Sequence, residues 1–350
     1  MINLKQDLVD ILCDLIRVES VTGNEKALCD VLFETLSPYA GELIRENNSL
    51  IFNLKYGKEN TIALIGHIDT VPIGNSTTEA YIKDDAIWGR GACDMKSGLA
   101  SMLKVIEQID CGVIHPDNNV SFIFYEGEEG PAPNGINLFL NKNILKDINF
   151  AYVLEPSEGN YSVGCLGSLA VKKEIFGVSA HSANPKTGVN ALNDAMIIFE
   201  KIKEMDKLIG EMQHIDNHEF YETVNVTSLN TFNAFNVLPP RAELVVNYRF
   251  RPGRSIEEAK NFLYSYLGED GITILDEVGS CYIGSDNKIF LIEGIKSEIM
   301  QAWTDMAQLN EAGIPAINFG PGSIKLAHKP DERITILEFK EFYNKLIKHL

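Results

Sequence analysis

Strand and helix patterns alternate along the first half of the chain, and this alternation restricts the possible folds more than any other property. Apolar residues at helical spacing predict helices near 4–18 and 24–38, and strands follow in "LIFNLKY" and "TIALIGHID". The series continues with a helix from Leu99 to about Ile109, a strand in "NVSFIFYEGEEG", a helix near 134–146 and a strand in "FAYVLEPSEG". Such alternation is typical of an α/β sheet with helices packed on its faces.

The pattern changes after "GCLGS". A strand in "LAVKKEIFGVSAH", a long helix in "GVNALNDAMIIFEKIKEM" and a strand in "ELVVNYRFRPG" precede a helix from Ile256 to Leu267 and a strand near "ITILDEV". From about residue 280 the alternating pattern resumes, with "GIPAINFGPG" as a late strand and turn. We therefore predict an outer α/β domain of residues 1–167 and 279–350, with an α+β domain inserted at 168–278.

Charge and hydropathy limit the classes of partner. The formal net charge of -18 is opposite to the basic face that nucleic-acid binding needs. No apolar run approaches the roughly 18 residues of a membrane span. Acidic residues interrupt the N-terminal apolar segment, which argues against a signal peptide. The sequence predicts a cytoplasmic protein that binds neither nucleic acid nor membrane.

Seven histidine or acidic residues fall where predicted strands end. They are His67 and Asp69 after "TIALI", Asp94 in "GRGACDMKSG", Glu128 and Glu129 after "SFIFY", Glu155 in "FAYVLEP" and His328 after "FGPGSIKLA". In an open α/β sheet, ligands bind at the carboxyl ends of the strands. The six cysteines include no C-x-x-C pair, so a metal site here must use histidine and carboxylate. These residue types suit a divalent metal such as zinc.

Single members of this set also have simpler interpretations. Asp94 is placed to cap the helix that follows it, Glu155 precedes a proline in a possible turn, and His328 suits a surface position. Each of these structural interpretations is the better one for a residue taken alone. The recurrence of such residues at successive strand ends favours the metal centre.

In two of the motifs, adjacent or alternate residues can take different roles at the site. His67 and Asp69 share a face of an extended chain, so the two side chains should lie side by side where the strand ends. Glu128 and Glu129 are adjacent and point in different directions. One of them can bind metal while the other faces the substrate as a base.

Six segments carry a resemblance to a known family. They are "GHIDTVP", "WGRGACDMKSG", "YEGEEG", "LEPSEGN", "FGVSAHSANPKTGVNAL" and "GPGSIKLAHKPDE". In this order, over nearly the whole chain, they resemble the M20 family of dinuclear zinc amidohydrolases and exopeptidases. The resemblance implies a catalytic domain with a mixed sheet flanked by helices, as in zinc exopeptidases, and an inserted α+β lid and dimerisation domain.

The resemblance also implies two zinc ions per subunit, which cobalt can replace. The implied ligands are Asp94 as the bridge, His67 and Glu155 on one ion, and Glu129 and His328 on the other.

Further roles follow from the same resemblance. Asp69 would hydrogen-bond the far nitrogen of His67 and fix its tautomer. Glu128 would be the general base, and the peptide bond between Asp94 and Met95 would be cis.

The insert is implied to supply substrate contacts. His181 matches a histidine that completes the active site of the neighbouring subunit of a homodimer, and Asn236 and Arg249 match substrate-binding positions. A guanidinium group suits carboxylate recognition, which agrees with Arg249 binding a small anionic N-acyl amino acid. For Arg254 we expect a solvated position at the strand end.

Within the family, "GCLGSL", "NVLPPRAELVVNYRF" and "WTDMAQLNEAGIPAINFGPG" most resemble the succinyl-diaminopimelate desuccinylases of lysine and diaminopimelate biosynthesis. The implied reaction is N-succinyl-LL-2,6-diaminopimelate plus water giving succinate and LL-2,6-diaminopimelate. The turn "GPGSIKLAH" is closer to acetylornithine deacetylases, and Leu166 stands where many desuccinylases carry arginine. Acetylornithine deacetylase, or another deacylase or dipeptidase of the family, is therefore the alternative.

A protein that binds metal without catalysis, as a regulator or scaffold, is the alternative from another class. Glu128 argues against it, because a structural metal site has no use for an unligated acid beside it. The pair His214 and His218 in "HIDNH" has a spacing that suits metal on a helix, but its surroundings predict a polar loop. His115 and His349 have no chemical partners in the sequence pattern.

Overall fold

The computed structural model of the protein describes residues 1–130, 133–284 and 291–350. The chain divides into two units. The first comprises Met1–Val163, Ile283–Glu298 and Thr304–Leu350, and the second comprises Gly164–Tyr282 and Ile299–Trp303. The predicted insert lies within the second unit. Its role as a lid and dimerisation domain stays a prediction.

Helices and strands alternate through the first unit and cluster in the second. Within the described residues, the α-helices in chain order are α1 (Leu8–Arg17), α2 (Lys26–Leu36), α3 (Lys96–Asp110), α4 (Gly135–Asn141), α5 (Ala191–Ile209), α6 (Ile256–Leu267), α7 (Met306–Glu311) and α8 (Ile336–Leu346). The strands are β1 (Glu42–Glu46), β2 (Ser49–Leu54), β3 (Thr61–His67), β4 (Tyr81–Lys83), β5 (Ala86–Trp88), β6 (Asn119–Tyr125), β7 (Phe150–Pro156), β8 (Tyr161–Cys165), β9 (Gly167–Phe176), β10 (Gln213–Ile215), β11 (His218–Phe220), β12 (Thr223–Thr231), β13 (Arg241–Phe250), β14 (Ile272–Val278), β15 (Cys281–Tyr282), β16 (Ser297–Met300), β17 (Ala316–Gly320) and β18 (Arg333–Thr335). Short 3-10 turns occupy Pro185–Thr187 and Ile347–His349.

Some helices begin just after a residue whose side chain accepts a hydrogen bond from a free backbone N–H group. The side chain of Asp7 accepts a hydrogen bond from Val9 N at 3.0 Å, so α1 begins four residues later than predicted. Asn134 caps α4 in the same way, and α4 ends at Asn141 rather than near 146. Lys96 opens α3 three residues before the predicted start at Leu99.

The main sheet of the first unit is mixed, as predicted. Its strand order is β1-β2-β6-β3-β7-β17-β8. The pairs β3–β6, β3–β7 and β17–β7 are parallel, whereas β1–β2, β2–β6 and β17–β8 are antiparallel. The parallel strands β3, β6 and β7 are almost wholly buried, which explains their continuous apolar sequences. Because these strands run in the same direction, their carboxyl ends meet at one edge.

The second unit contains a four-stranded antiparallel sheet in the order β12-β13-β9-β14. Burial alternates residue by residue along β13, as expected for a sheet with one covered face. Val246 of β13 and Val171 of β9 share a buried core with Met205 of α5 and Leu263 of α6. The two long helices therefore cover one face of this sheet.

One local prediction in the second unit was wrong. The segment around "HIDNH", predicted as a polar loop, forms the antiparallel hairpin of β10 and β11. Its turn contains Asp216 at a φ of 50°, a left-handed conformation that aspartate tolerates better than most residues. His214 and His218 lie on opposite strands of this hairpin and not on a helix.

Among the described residues, none of the helices combines the length and the apolar character needed to cross a bilayer.

Candidate metal centre

The carboxyl edge of the parallel strands carries the predicted site. His67 is the last residue of β3 and is paired in register with Tyr125, the last residue of β6. The chain reaches Glu128 and Glu129 within four residues of that point, and Glu155 lies near the end of the neighbouring strand β7. The sheet register therefore brings residues from three separate parts of the sequence to one edge.

Asp94 lies between the two histidines of the cluster. Its Oδ1 is 3.2 Å from Nε2 of His67, and its Oδ2 is 3.3 Å from Nε2 of His328. The Asp94 side chain is 6% exposed. The peptide bond from Asp94 to Met95 is cis, as predicted. Each oxygen of this one carboxylate thus faces a different imidazole.

The remaining acids complete two groups around Asp94. Oε1 of Glu155 lies 3.6 Å from His67 Nε2, and Oε1 of Glu129 lies 2.8 Å from His328 Nε2. His67, Asp94 and Glu155 offer ligand atoms within 4.8 Å of one another, and so do Asp94, Glu129 and His328. The structure brings together all five residues predicted to bind metal, with Asp94 common to both groups.

Glu128 belongs to the same cluster. It forms a third group with His67 and Glu129 at the same limiting distance of 4.8 Å. Burial raises the pKa of Glu128 well above its ordinary value, and the charge of Glu155 raises it further. Burial and the charge of Asp94 act on the pKa of Glu155 in the same direction. The carboxylates are therefore crowded to a degree that calls for a compensating positive charge.

The histidines respond to these acids in the opposite sense. Hydrogen bonds to Asp94 and Glu129 raise the pKa of His328 to about 10. Burial lowers the pKa of His67, but the hydrogen bond to Asp94 and the charge of Glu155 outweigh burial and raise it well above its ordinary value. For Asp94 the directions are reversed: burial raises its pKa, but the hydrogen bonds from His328 and His67 outweigh burial and bring the pKa below its usual range.

The donor set fits divalent cations. Oε1 of Glu155 is buried and has no hydrogen-bond partner in the described structure, although it faces His67 Nε2 within the cluster. Such an orphaned buried acceptor is costly unless a cation meets it. Histidine nitrogen and carboxylate oxygen are the ligands that zinc and similar metals prefer.

The far nitrogen of His67 is fixed by Asp69, but through the main chain. Nδ1 of His67 lies 2.9 Å from the carbonyl oxygen of Asp69 and 3.6 Å from its carboxylate. Because a carbonyl oxygen only accepts, Nδ1 keeps its proton when the ring is neutral, and it is then the lone pair of Nε2 that faces the cluster, where it can bind a cation.

The carboxylate of Asp69 holds the segment that carries the paired glutamates. Oδ1 accepts a hydrogen bond from Glu128 N at 3.1 Å, and Oδ2 accepts one from Glu129 N at 3.0 Å. The Thr22 hydroxyl donates to the same Oδ2 at 2.9 Å. The sequence offered no sign of this link, since Thr22 lies 47 residues away from Asp69.

A second buried carboxylate was also missed. Oε1 of Glu332 accepts hydrogen bonds from the backbone N–H of Cys93 and Asp94, each at 3.1 Å. Oε2 of Glu332 pairs with Arg90 at 2.7 Å. The only sequence signal was the position of Glu332 at the end of the segment "HKPDE".

The three predicted substrate contacts lie in the second unit. His181 is exposed, and its Nδ1 accepts a hydrogen bond from Ala183 N at 3.1 Å. Asn236 is also exposed, and its carbonyl accepts from Ser182 N at 2.9 Å. His181 and Asn236 therefore lie on adjoining segments.

Arg249 lies on β13, apart from these two residues along the sheet. Its Nε donates to Asn247 Oδ1 at 3.1 Å, and the described residues give its two terminal nitrogens no hydrogen-bond partner. Those nitrogens remain available for an anionic ligand.

Two predictions about individual residues were wrong. Arg254 is not a solvated strand end, because it forms a 2.9 Å ion pair with Glu222, whose side chain is 2% exposed. His349 has chemical partners after all: Nδ1 donates to the Lys345 carbonyl at 2.9 Å, and Nε2 accepts from the Tyr161 hydroxyl. Both residues are engaged by other side chains of the fold and lie outside the cluster.

Comparisons with known proteins agree with this picture. The sequence profile described as peptidase family M20/M25/M40 matches residues 63–348. A succinyl-diaminopimelate desuccinylase of Corynebacterium glutamicum is 31% identical over 339 residues, which cover 92% of this chain and 90% of that protein.

Solved structures share the fold. A tripeptidase from Staphylococcus aureus superposes with a TM-score of 0.77 at 23% identity, covering 99% of this chain and 98% of the other. A dinuclear metal binding peptidase of the M20 family from Bacillus subtilis gives a TM-score of 0.68 at 15% identity, covering 97% of this chain and 96% of the other.

Proposed function

Because the chain belongs to the M20/M25/M40 peptidase family of metal-dependent hydrolases, we propose that it is a di-zinc amide hydrolase acting on a small anionic N-acyl amino acid. The favoured substrate is N-succinyl-LL-2,6-diaminopimelate, hydrolysed to succinate and LL-2,6-diaminopimelate. The 31% identity to the desuccinylase of Corynebacterium glutamicum supports this choice. The pathway would be lysine and diaminopimelate biosynthesis, and the predicted compartment remains the cytoplasm.

The observation that carries the proposal is the placement of Asp94 between His67 and His328. A carboxylate with its oxygens 3.2 and 3.3 Å from two different imidazoles is suited to bridge two cations. His67 and Glu155 would hold one ion, and Glu129 and His328 would hold the other. The relative described as a dinuclear metal binding peptidase supports a count of two.

Bound divalent ions would polarise the amide carbonyl and lower the pKa of water at the site. In the proposed reaction, Glu128 takes a proton from the attacking water and then gives it to the leaving amine. Glu128 suits this role by position, since it lies beside His67 and Glu129 but outside the two groups that share Asp94.

His181 is proposed as a donor to the developing oxyanion. Since Ala183 N–H donates to its Nδ1, the neutral ring keeps its proton on Nε2. The ring is exposed, so the Nε2–H group is free to donate to a substrate oxygen.

Arg249 is proposed to bind a substrate carboxylate. Its guanidinium group has only the Asn247 hydrogen bond among the described contacts, and the terminal nitrogens suit a bidentate pair with an anion. Asn236 would contribute a further polar contact to the substrate.

We infer that the proposed contacts come from two subunits of a homodimer. The backbone of His181 forms an isolated β-bridge with Val237, and Gly177 N donates to the Pro240 carbonyl. His181 and Asn236 therefore lie toward the Arg241 end of β13. Arg249 lies eight residues farther along this strand, about 26 Å away at about 3.3 Å per residue. One small substrate cannot span that distance. If both groups contact it, they come from different chains of a homodimer.

The second candidate is acetylornithine deacetylase or another deacylase or dipeptidase of the family. It is supported by "GPGSIKLAH" before the final histidine and by Leu166, which is 1% exposed and offers no charge to an acyl carboxylate. The chemistry assigned to Glu128 would be the same for each of these substrates.

A substrate panel on protein loaded with zinc, and separately with cobalt, tests the proposal. The panel contains succinyl-diaminopimelate, acetylornithine and neutral dipeptides. We expect the highest kcat/KM for succinyl-diaminopimelate. A preference for acetylornithine or a dipeptide would move the assignment within the family, and stoichiometric metal binding with no turnover of any amide would support a non-catalytic protein.

A further inference from the structure

Glu332 connects two segments of the candidate metal centre. It follows His328 by four residues in the same turn, and its carboxylate reaches the turn that carries Asp94. One oxygen, Oε1, accepts the N–H groups of both Cys93 and Asp94 at 3.1 Å. A single buried residue, 1% exposed, thus ties the segment of one histidine to the shared carboxylate.

Arg90 occupies the other oxygen of Glu332. Its guanidinium NH1 is 2.7 Å from Oε2, and both side chains are almost fully buried, at 5% and 0% exposure. The same guanidinium also lies 3.4 Å from the carbonyl oxygens of Lys329 and Ile73. Arg90 therefore fixes Glu332 from the side opposite the Asp94 turn.

A buried ion pair of this kind is weak evidence for stability, because removing two charges from water costs about as much as their attraction returns. Its geometry indicates another use. Two hydrogen bonds from consecutive N–H groups to one oxygen define the orientation of the backbone directly before the Asp94 side chain. Metal sites need their ligands held within about 0.5 Å of the working geometry.

We propose that Glu332, held in place by Arg90, is a positioning residue that sets the orientation of Asp94 between His67 and His328. This inference rests on the proposed metal centre and adds a residue pair to it. Glu332 itself would bind no metal, since both of its oxygens are already engaged by Arg90 and by the two N–H groups.

The chain offers a matched control pair. Glu222 is 2% exposed and accepts hydrogen bonds from Arg254 NH1 at 2.9 Å and from the backbone N–H of Arg251 at 3.0 Å. It combines a buried glutamate, an arginine and a backbone N–H, as Glu332 does, but it belongs to the second unit. Loss of either charge should lower the free energy of unfolding to a comparable extent.

The experiment compares zinc affinity of the whole protein with Glu332→Gln and Glu222→Gln, by competition with a chromophoric chelator. We expect Glu332→Gln to weaken zinc binding about 10- to 100-fold, the usual effect of losing a partner behind the ligands. Glu222→Gln should leave zinc affinity unchanged while lowering the urea midpoint. Wild-type affinity in Glu332→Gln, or equal losses in both variants, would overturn the inference.

Arg90 supplies a second test that does not need Glu332 to be altered. Arg90→Met removes the partner charge, whereas Arg90→Lys keeps a cation near Oε2. Zinc affinity should fall in the methionine variant and recover at least in part in the lysine variant. Equal zinc affinity in wild type, Arg90→Met and Arg90→Lys would contradict the positioning role. Absence of zinc binding in the wild-type protein would instead overturn the proposed metal centre, and this inference with it.

Discussion

The main-chain carbonyl of Asp69, and not its carboxylate, lies within hydrogen-bond distance of Nδ1 of His67, at 2.9 Å against 3.6 Å. The side chain is thereby left to bind the backbone that carries the two adjacent glutamates. Asp69 acts on the site in two directions: its carbonyl sets the His67 tautomer, and its carboxylate sets the path of the glutamate segment.

Asp69→Asn separates these two functions. Asparagine keeps the main-chain carbonyl that contacts His67. Its side-chain NH2 group, however, replaces one carboxylate oxygen and places a donor against the backbone N–H of Glu128 or Glu129. Losing one charge-assisted hydrogen bond should cost about 1.5 to 3 kcal/mol, or roughly a tenfold to hundredfold decrease in kcat if the base is displaced. Steady-state kinetics on metal-loaded protein measure this. Thr22→Val, which removes only the hydroxyl bonded to Oδ2, should have a smaller effect, and an Asp69→Asn enzyme with wild-type kcat would contradict the assignment.

Glu128→Gln should retain both metals and lose turnover. Glutamine keeps the size of the side chain but cannot take a proton, and general-base catalysis typically contributes about 10²- to 10⁴-fold. Metal content by elemental analysis and kcat on succinyl-diaminopimelate check the two parts. Glu126→Gln is the control, because Glu126 lies in the same segment and bonds to Asn48. Loss of one metal equivalent from Glu128→Gln would mean that Glu128 and Glu129 have exchanged roles.

Arg249→Ala should raise KM for an anionic acyl substrate about tenfold to a hundredfold, since a hydrogen bond to a charged group contributes about 1.5 to 3 kcal/mol. KM for a neutral acyl dipeptide should change much less. Arg251→Ala removes the same charge from an exposed residue just beyond β13 and serves as the control. An equal rise in KM for both substrates would exclude carboxylate recognition by Arg249.

The burial of His349 should make the free energy of unfolding depend on pH in a specific way. Burial lowers its pKa from 6.5 to about 4, and the Tyr161 hydroxyl donates to the nitrogen that would take the proton. The unfolded chain therefore binds a proton at higher pH than the folded chain does. The stabilisation is complete above about pH 6.5 and is lost as the pH falls towards 4.

The matching experiment compares wild type with His349→Phe by urea unfolding at several pH values. Between pH 7 and pH 4 the free energy of unfolding of the wild type should fall by about 3 kcal/mol more than that of the variant, because the pKa of His349 is about 4 in the folded chain and 6.5 in the unfolded chain. His115→Gln, at an exposed position, should follow the wild type. Parallel curves for wild type and His349→Phe would show that this histidine titrates normally.

Action of His181 across a dimer can be tested by mixing two inactive variants, Glu128→Ala and His181→Ala. In a mixed dimer, the chain lacking His181 still has Glu128 and receives His181 from its partner. Random exchange makes about half of the dimers mixed, so roughly a quarter of all sites should recover activity. Mixtures that exchange subunits and remain inactive would place His181 in the site of its own chain.

Much of the fold follows from local patterns in the sequence. The apolar runs ending in His67 and Tyr125 form buried strands. A short, continuous run of apolar residues is typical of a strand that is covered on both faces of its sheet. Parallel neighbours bring strand ends to one edge, so residues after those runs were predicted to meet. The helix patterns likewise identified α1, α3 and α5, with shifts of a few residues at their ends.

The tertiary structure decided which atoms meet. Arg90 and Glu332 are 242 residues apart, and neither lies on a face whose periodicity marks it as the partner of the other. Arg254 pairs with Glu222, and His349 is buried against Tyr161, for the same reason. The sequence by itself indicated most of the strands and helices, and the residue types at the strand ends. Packing alone determined the hydrogen bonds behind them, because a buried polar group takes whichever partner the fold brings within about 3 Å.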